Sequence, residues 1–171
     1  CLADGKVRLV LSTPLAADGV MGEFLDRHGD GVRDIAFLVD DADAAFALAV
    51  ERGAKPLQAP TDRSAAAGSV RHAAIHTYGD VVHSFISIKD YRGVFLPGYR
   101  EQRLPEHSFG FKIVDHIVGN VEEGKMEHWR EWYERVLGWT QFLSFDDKDI
   151  STDYTALRSK VMSSPTANIR F

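Results

Sequence analysis

The stretch VRDIAFLVDDADAAFALAVERGAKPL, residues 32–57, contains a predicted strand, a predicted helix and the start of another strand. Residues 32–40 are apolar enough for a strand that is buried on both faces. Asp41 is a good N-cap for the alanine-rich helix that follows, which runs to Arg52 and ends at Gly53. The order strand, helix, glycine, strand defines a βαβ unit in which helix and sheet pack together.

A second copy of this order begins at VDHIVGNVEE, about 80 residues further along the chain. There the sequence predicts a strand over residues 111–121, an amphipathic helix from about Met126 to Leu137, a stop at Gly138, and a strand in WTQFLSF. Short βαβ patterns recur by chance, so the similarity between the copies is weak as sequence evidence. As an indication of architecture, it predicts an α+β fold of paired βαβββ modules with curved mixed sheets.

The remaining patterns supply further elements of the same kind. They predict a strand over 6–14, a helix over 21–29, a short extended segment over 54–60, a hairpin of strands 69–75 and 81–88, and a strand over 157–164.

A boundary between two modules is expected in residues 89–108, which lack periodicity and are rich in proline, glycine and charge. We expect residues 1–100 to belong to one module, residues 101–110 to form a linker and residues 111–171 to begin a second module. The chain opens on Cys1 and ends inside the alternating stretch ANIRF, so we expect a fragment of a longer protein.

Composition excludes several classes of function. The formal net charge is −5, and no run of five like charges occurs, so the chain lacks the basic footprint of a protein that binds nucleic acid or an acidic membrane. No apolar run is long enough to span a membrane, and no signal-peptide pattern opens the chain. Cys1 is the only cysteine, so no disulfide can form within the chain, which is compatible with a reducing compartment.

His116 lies in the middle of the predicted strand 111–121, where alternation places it on one face with Val114 and Val118. From the strand alone, a core histidine bonded to a carbonyl is the favoured interpretation. A metal ligand also needs a neutral imidazole on a rigid element, but it needs partners from other strands as well. Ser159 shares a face with Val161 in its own predicted strand, and an ordinary strand serine is the simpler interpretation there too.

The other histidines and acidic groups indicate no site. His72 and His76 are four residues apart, but in a strand that spacing separates them by about 13 Å. A cross-strand pair of His76 with His83 is conceivable, although a structural or exposed role is favoured; His28, His107 and His128 are expected to be solvated. Residues 146–149 resemble a calcium loop only superficially, and no nucleophile elbow, P-loop or dinucleotide fingerprint is present.

Five strings carry a family resemblance that runs nearly the length of the chain. They are HGDGVRDIAF (28–37), TYGDVVHSFI (77–86), FLPGY (95–99), VDHIVGNV (114–121) and YTALRSKV (154–161). In this order they resemble segments of the 4-hydroxyphenylpyruvate dioxygenase family, which has the vicinal-oxygen-chelate fold of paired βαβββ modules. The resemblance implies that residues 1–100 are the latter part of a non-catalytic module and that residues 111–171 are the first half of a catalytic one.

The resemblance also implies roles for single residues. His116 corresponds to the first iron ligand of the family, and Ser159 and Val118 correspond to residues that line the substrate pocket. The family completes its Fe(II) site with a histidine and a glutamate that lie beyond the point matching Phe171, so this chain holds one of three protein ligands. Asp34 occupies a ligand position of the catalytic module, and we expect it to be structural here.

The implied activity is the conversion of 4-hydroxyphenylpyruvate and O2 to homogentisate and CO2 in tyrosine catabolism, by an iron enzyme that is cytoplasmic and a homodimer or homotetramer. The partners would be a small aromatic 2-oxo acid and O2, with no nucleic acid or membrane. Two alternatives stay open at this point. One is an iron dioxygenase that resembles hydroxymandelate synthase, and the other is a catalytically empty binding or assembly module of the same fold.

Overall fold

A computed structural model of the chain describes residues 1–102, 109–145 and 159–171. These residues form two compact units, residues 1–113 and residues 114–171, and each unit is described by itself. His107, residues 146–149 and Leu157, on which parts of the sequence prediction rest, lie outside the described residues.

The first unit contains two sheets and two helices. In chain order its elements are β1 (Leu2–Asp4), β2 (Val7–Leu9), α1 (Val20–His28), β3 (Asp34–Leu38), α2 (Ala42–Glu51), β4 (Pro56–Ala65), β5 (Gly68–His76) and β6 (Val82–Ile88). Strands β1 and β2 form a separate antiparallel pair, and the other four form a sheet in the order β3-β6-β5-β4. Strand β3 is parallel to β6, whereas the remaining pairs are antiparallel, so β3 to β6 with α2 make a complete βαβββ module.

Helix α2 begins where the sequence predicts. The carboxylate of Asp41 accepts hydrogen bonds from the backbone N–H groups of Asp43 and Ala44, at 2.9 and 3.1 Å, and so satisfies two groups that a helix start leaves open. The N–H of Ala42 donates to the Ser87 hydroxyl of β6 at 3.2 Å, which ties this end of the helix to the sheet. The buried hydrophobic residues of this unit include Ile35, Phe37, Ala42, Ala49, Val70, Ala73, Ile75, Val82 and Phe85.

Three strand predictions in this unit were partly wrong. Strand β3 is not buried on both faces: Ile35 and Phe37 are buried, but Leu38 is 74% exposed, because alternate side chains point to opposite faces and only the face of Ile35 and Phe37 is covered. The strand predicted over 6–14 is confined to Val7–Leu9, since only those residues find a partner, in β1. The short segment predicted at 54–60 is the start of the ten-residue β4, whose length is set by pairing with β5.

The second unit repeats the order of helix and strands. Its helix α3 (Met126–Trp132) continues into a π-helical turn, Tyr133–Leu137, and Gly138 then adopts a left-handed conformation with φ of 68°. That conformation suits glycine, and it ends the helix where the sequence predicts. Strands β7 (Thr140–Phe145) and β8 (Ser159–Ser163) follow as an antiparallel pair. The rings of Tyr133, Trp139 and Phe171 pack together, with 5.0 Å between the centroids of Tyr133 and Phe171.

The strand predicted over residues 111–121 is absent as a regular strand, and the prediction of burial there was wrong. Among the described residues, this segment makes one backbone bond to the sheet, from the N–H of Ile117 to the carbonyl of Arg170 at 3.1 Å. A single bond does not build a ladder, and His116 and Val118 are both exposed. Residues 169–171 in turn pair with β8 through Met162, Phe171 and the Ser163–Arg170 bridge. The order is therefore segment 114–121, segment 169–171, β8, β7, which matches β3-β6-β5-β4.

This register sharpens the internal repeat. The N–H of Ser164 donates to Ile169 in the second module as that of Thr77 donates to Val81 in the first, so Arg170 corresponds to Val82 and Phe171 to His83. Ile35 pairs with His83, and the bond from the N–H of Ile117 to Arg170 sets Ile117 level with Phe171 in the same way. The equivalence aligns Ile35 with Ile117 and therefore Asp34 with His116, which stands 82 positions later. Asp34 and Asp115 are thus not the matching pair, although both open their segments.

Candidate functional site

The imidazole of His116 is held by its neighbour in the chain. Its Nδ1 lies 2.8 Å from a carboxylate oxygen of Asp115, and a carboxylate can only accept, so Nδ1 carries the proton and donates. In the neutral ring this leaves the lone pair on Nε2. The side chain of His116 is 59% exposed, so Nε2 is not shut inside a core. The interpretation favoured from the strand alone, a buried core histidine, was wrong.

Asp115 has a second neighbour in Arg170. The guanidinium of Arg170 lies 4.0 Å from the other carboxylate oxygen of Asp115. The hydrogen bond from His116 and the positive charge of Arg170 keep the pKa of Asp115 below its ordinary value. The carboxylate is therefore ionised at neutral pH and stays an acceptor for His116.

Arg170 is fixed by contacts on both sides. Its carbonyl accepts from Ile117, its backbone bridges to Ser163, and its guanidinium lies 5.2 Å from the ring centroid of Phe142. The last contact is in the range of a cation–π interaction. Sequence reasoning missed Arg170, because nothing in ANIRF indicates that its backbone lies beside residue 117. The dipeptide Asp115-His116 was a readable signal, but strict alternation assigned the two side chains to opposite faces.

The register shows which side chains lie on the face of β8 that points away from the helix. Lys160 of β8 pairs with Glu127 of α3, so Lys160 points to the helix side and Ser159 points away from it. Phe171 packs on Tyr133 on the helix side, so Arg170 points away from it, as does His116, which is level with Arg170. Val118 lies two residues after His116 on a segment that is not a regular strand, and it is 71% exposed.

The three predicted residues are not close together. Ser163 is level with His116 and two strand spacings away, which is about 10 Å. Ser159 lies four residues further along β8, which adds about 13 Å along the strand. A ligand held at His116 could therefore meet Ser159 only at its far end. Ser163, which is buried, is the serine level with His116 and was not predicted.

A metal fits His116 as one ligand and finds no complete site in the described ranges. Within residues 1–102, 109–145 and 159–171, no three His, Cys, Asp or Glu side chains are grouped so as to hold a metal ion. His116 nonetheless has the arrangement of a metal-binding histidine, with one ring nitrogen donated to a carboxylate and the other available. Further ligands would have to come from residues that this structure does not describe.

The matching position in the first module carries a closed hydrogen-bond chain. The hydroxyl of Ser84 donates to Asp34 at 2.7 Å and lies 3.1 Å from Nε2 of His72. Nδ1 of His72 lies 2.9 Å from the amide nitrogen of Gln58 and 3.2 Å from Arg63, both donors, so this ring carries its proton on Nε2. Asp34 is thus tied to the sheet, which supports the structural role that the resemblance implies.

Burial and charge set the pKa values of His72 and His83 in this sheet. Burial lowers the pKa of His72, and the positive charge of Arg63 lowers it further. The negative charge of Asp34 acts in the opposite direction, but the pKa remains below its ordinary value. His83 is fully buried against Phe37, with 4.9 Å between ring centroids, and burial lowers its pKa to about 4. Nδ1 of His83 donates to the carbonyl of Ile35 at 3.2 Å. His83 is therefore a core residue, opposite Ile75 rather than His76.

The exposed histidines divide into two kinds. His28 is exposed as predicted, but it also pairs with Asp80 at 2.8 Å, beside Arg27 on the same carboxylate. This cluster joins the end of α1 to the turn between β5 and β6. His128 is exposed on α3, with its ring against Trp129.

In the described ranges no helix is both long and apolar enough to cross a bilayer.

Comparison with protein families places the chain in a large superfamily. A model of the glyoxalase/bleomycin resistance protein/dioxygenase superfamily matches residues 1–73. A triple mutant of 4-hydroxymandelate synthase from Streptomyces coelicolor superposes with a TM-score of 0.73 at 27% identity, covering 92% of this chain and 44% of that one. The fold is therefore α+β, with the βαβββ modules of this superfamily.

Curated relatives narrow the assignment. The 4-hydroxyphenylpyruvate dioxygenase of Danio rerio is 42% identical over 159 residues, covering 88% of this chain and 40% of the relative. That of Tetrahymena thermophila is 41% identical over 168 residues, covering 91% of this chain and 41% of the relative. The chain thus spans about two-fifths of the length of these relatives. The resemblance read from the sequence is confirmed, and the chain belongs to the 4-hydroxyphenylpyruvate dioxygenase family.

Proposed function

We propose that the protein containing this segment converts 4-hydroxyphenylpyruvate and O2 to homogentisate and CO2, with Fe(II) as its cofactor. The observation that carries the proposal is the likeness, at about 40% identity over roughly nine-tenths of the chain, to proteins with the name of that activity. The availability of Nε2 on His116 supports it, because an iron dioxygenase of this kind needs a neutral histidine ligand.

Each predicted site residue has a part in this proposal. His116 supplies one protein ligand of the iron, and a histidine and a carboxylate from outside the described residues complete the set. Bound Fe(II) supplies the activation of O2 and of the 2-oxo acid. Val118 contributes an apolar wall beside His116, and the hydroxyl of Ser159 meets the end of the substrate that is far from the metal. These residues help to hold the substrate in one orientation.

Oxygen consumption by the full-length protein with 4-hydroxyphenylpyruvate tests the proposal. The variant His116→Ala should lose at least about 100-fold in turnover, since loss of even an outer-shell partner of a metal costs 10- to 100-fold. His128→Ala removes an exposed histidine from the same unit and should leave turnover unchanged. Full activity in His116→Ala would exclude the assigned ligand, and no oxygen uptake by the wild type would exclude the activity.

The 171-residue chain taken alone should bind Fe(II) weakly and consume no oxygen with the same substrate, because only one of the proposed ligands lies in its described part. Oxygen electrode traces of the chain and of the full-length protein, at equal concentrations and with added Fe(II), make the comparison. Turnover by the chain alone would show that it supplies a complete site.

A second candidate is the synthesis of 4-hydroxymandelate, which the similarity to a 4-hydroxymandelate synthase structure favours. Both activities would consume the same substrate, so oxygen uptake does not separate them. Chromatography of the product does, because homogentisate carries a new ring hydroxyl and 4-hydroxymandelate carries a side-chain hydroxyl. We expect homogentisate, in line with the named relatives.

The proposal also covers the pathway, the compartment and the oligomeric state of the enzyme. By resemblance to the family it works in tyrosine catabolism, in the cytoplasm, as a homodimer or homotetramer. Light scattering of the full-length protein tests the assembly, and fractionation of cells tests the compartment. A monomer, or a protein recovered from another compartment, would contradict these parts without affecting the activity.

A further inference from the structure

A histidine that binds a metal must offer a chosen ring nitrogen. Free imidazole exchanges its proton between Nδ1 and Nε2, and only the unprotonated nitrogen can bind a metal. Among the described residues, the exposed segment of His116 makes a single backbone bond to the sheet, so the backbone does little to select one form. Some other group has to make the selection.

Asp115 is placed to do so. Its carboxylate accepts the Nδ1 proton of His116 at 2.8 Å, which stabilises the form with a free Nε2 and also limits rotation of the ring. The carboxylate and the imidazole belong to adjacent residues, so the contact does not depend on how other elements are assembled. The donor and acceptor are both more than half exposed, so water competes with this bond and a second anchor would strengthen it.

Arg170 is that second anchor. Its backbone is held between Ile117 and Ser163, and its guanidinium is held near the ring of Phe142. From this position it reaches the second oxygen of Asp115 at 4.0 Å, which leaves the first oxygen for His116. One oxygen of the carboxylate thus faces the guanidinium of Arg170, and the other accepts the hydrogen bond from His116.

We propose that Asp115 is a positioning residue for the metal ligand His116, and that Arg170 orients its carboxylate. The inference rests on the proposed function only in taking His116 as a ligand. Asp115 does not touch metal or substrate; it acts by fixing the tautomer and the direction of the ring. Loss of Asp115 should therefore weaken metal binding while the fold is retained.

The first experiment measures the affinity of the full-length, metal-free protein for Fe(II) under anaerobic conditions. Asp115→Ala should weaken binding about 10- to 100-fold, and Asp115→Glu, which restores a carboxylate, should recover most of the loss. Arg170→Gln should have a smaller effect, below about fivefold, as expected for an exposed ion pair. Glu123→Ala removes an exposed carboxylate from the turn that follows this segment and serves as the matched control, with unchanged affinity expected.

The second experiment reads the tautomer without any metal. Long-range proton–nitrogen NMR of protein labelled at histidine should show Nδ1 protonated in the neutral His116 ring, with the signal assigned by its loss in His116→Ala. In Asp115→Ala the ring should shift toward a mixture of the two forms. A wild-type ring protonated on Nε2 would overturn the inference.

The outcomes distinguish the ligand role of His116 from the positioning role of Asp115. If His116→Ala binds Fe(II) as tightly as the wild type, the proposed ligand is wrong and the positioning role falls with it. If His116→Ala loses binding but Asp115→Ala matches Glu123→Ala, the proposed function stands and this inference alone is overturned. Thermal unfolding of each metal-free variant should stay at the wild-type temperature, and a large drop in Asp115→Ala would show a structural role instead.

Discussion

One side-chain type does three different jobs in this chain, and its surroundings decide which. His83 is sealed in the core, His72 is a link in a hydrogen-bond chain, and His116 is exposed with a carboxylate on one nitrogen. The protons differ accordingly: His83 and His116 carry theirs on Nδ1, whereas His72 carries its proton on Nε2. Residue type and spacing alone do not distinguish these cases, because the partners come from distant positions.

His83 should make the stability of the chain depend on pH. Its pKa is about 4 in the folded protein and about 6.5 when unfolded, so the unfolded state binds more protons between these values. The contribution of His83 to the free energy of unfolding is therefore fully present above about pH 6.5. It falls as the pH drops toward 4, and its loss lowers the free energy of unfolding by about 3 kcal/mol at most. The lowered pKa of His72 acts in the same direction.

Urea unfolding at several pH values between 4 and 7 measures this dependence. In His83→Asn, where the amide nitrogen can still donate to Ile35, the slope between pH 4 and 6.5 should be clearly smaller than in the wild type. His128→Asn, which changes an exposed histidine, should keep the wild-type slope. Equal slopes in all three proteins would rule out His83 as the source.

Among the elements, helix α2 has the clearest local determinant. Asp41 caps it through two backbone N–H groups, and replacing a capping aspartate by alanine costs about 1 kcal/mol. We expect Asp41→Ala to lower the free energy of unfolding by about that amount in urea. Asp40→Ala, one position earlier and also exposed, should change it by less than about 0.5 kcal/mol. A larger loss in Asp40→Ala than in Asp41→Ala would contradict the assignment of the cap.

Elements with local signals were predicted well from the sequence. Helix α2, the hairpin of β5 and β6, and the stop at Gly138 depend on capping, alternation and a left-handed glycine, all of which are visible in short stretches. The failures depend on partners. The exposed face of β3 depends on which face of the sheet other elements cover, and the extent of β4 follows from β5, so neither could be read from the strand itself.

For the candidate site the division is the same. His116 and Ser159 were found through resemblance to a family, and alternation alone favoured simpler roles for both. Arg170 could not be found, because its contact with Asp115 joins positions 55 apart in the chain. The internal repeat was recognised from the sequence, but its register was not. The pattern of backbone hydrogen bonds makes His116, and not Asp115, the position equivalent to Asp34.

At the scale of the molecule, the first unit holds a complete module and should fold without the second. Residues 1–113 contain the whole β3-β6-β5-β4 sheet and its buried hydrophobic side chains. Expressed alone, this segment should give a dispersed NMR spectrum and a cooperative thermal transition. Residues 1–81 lack β6, the strand that joins β3 to β5, and should remain unfolded. A collapsed, undispersed spectrum for residues 1–113 would show that the first unit needs the second.

The parallel pairing of β3 with β6 also fixes an order of events during synthesis of the chain. Asp34 pairs with Val82, so β3 leaves the ribosome well before the strand that it joins. Until β6 emerges, Ile35 and Phe37 lack the strand that β3 pairs with. Once β6 has emerged, its hairpin with β5 can close locally through a short turn, whereas pairing of β3 with β6 closes a much longer loop. We therefore expect docking of β3 to be the late, non-local step, so that a chain synthesised only as far as residue 81 leaves Ile35 and Phe37 without the strand that β3 joins.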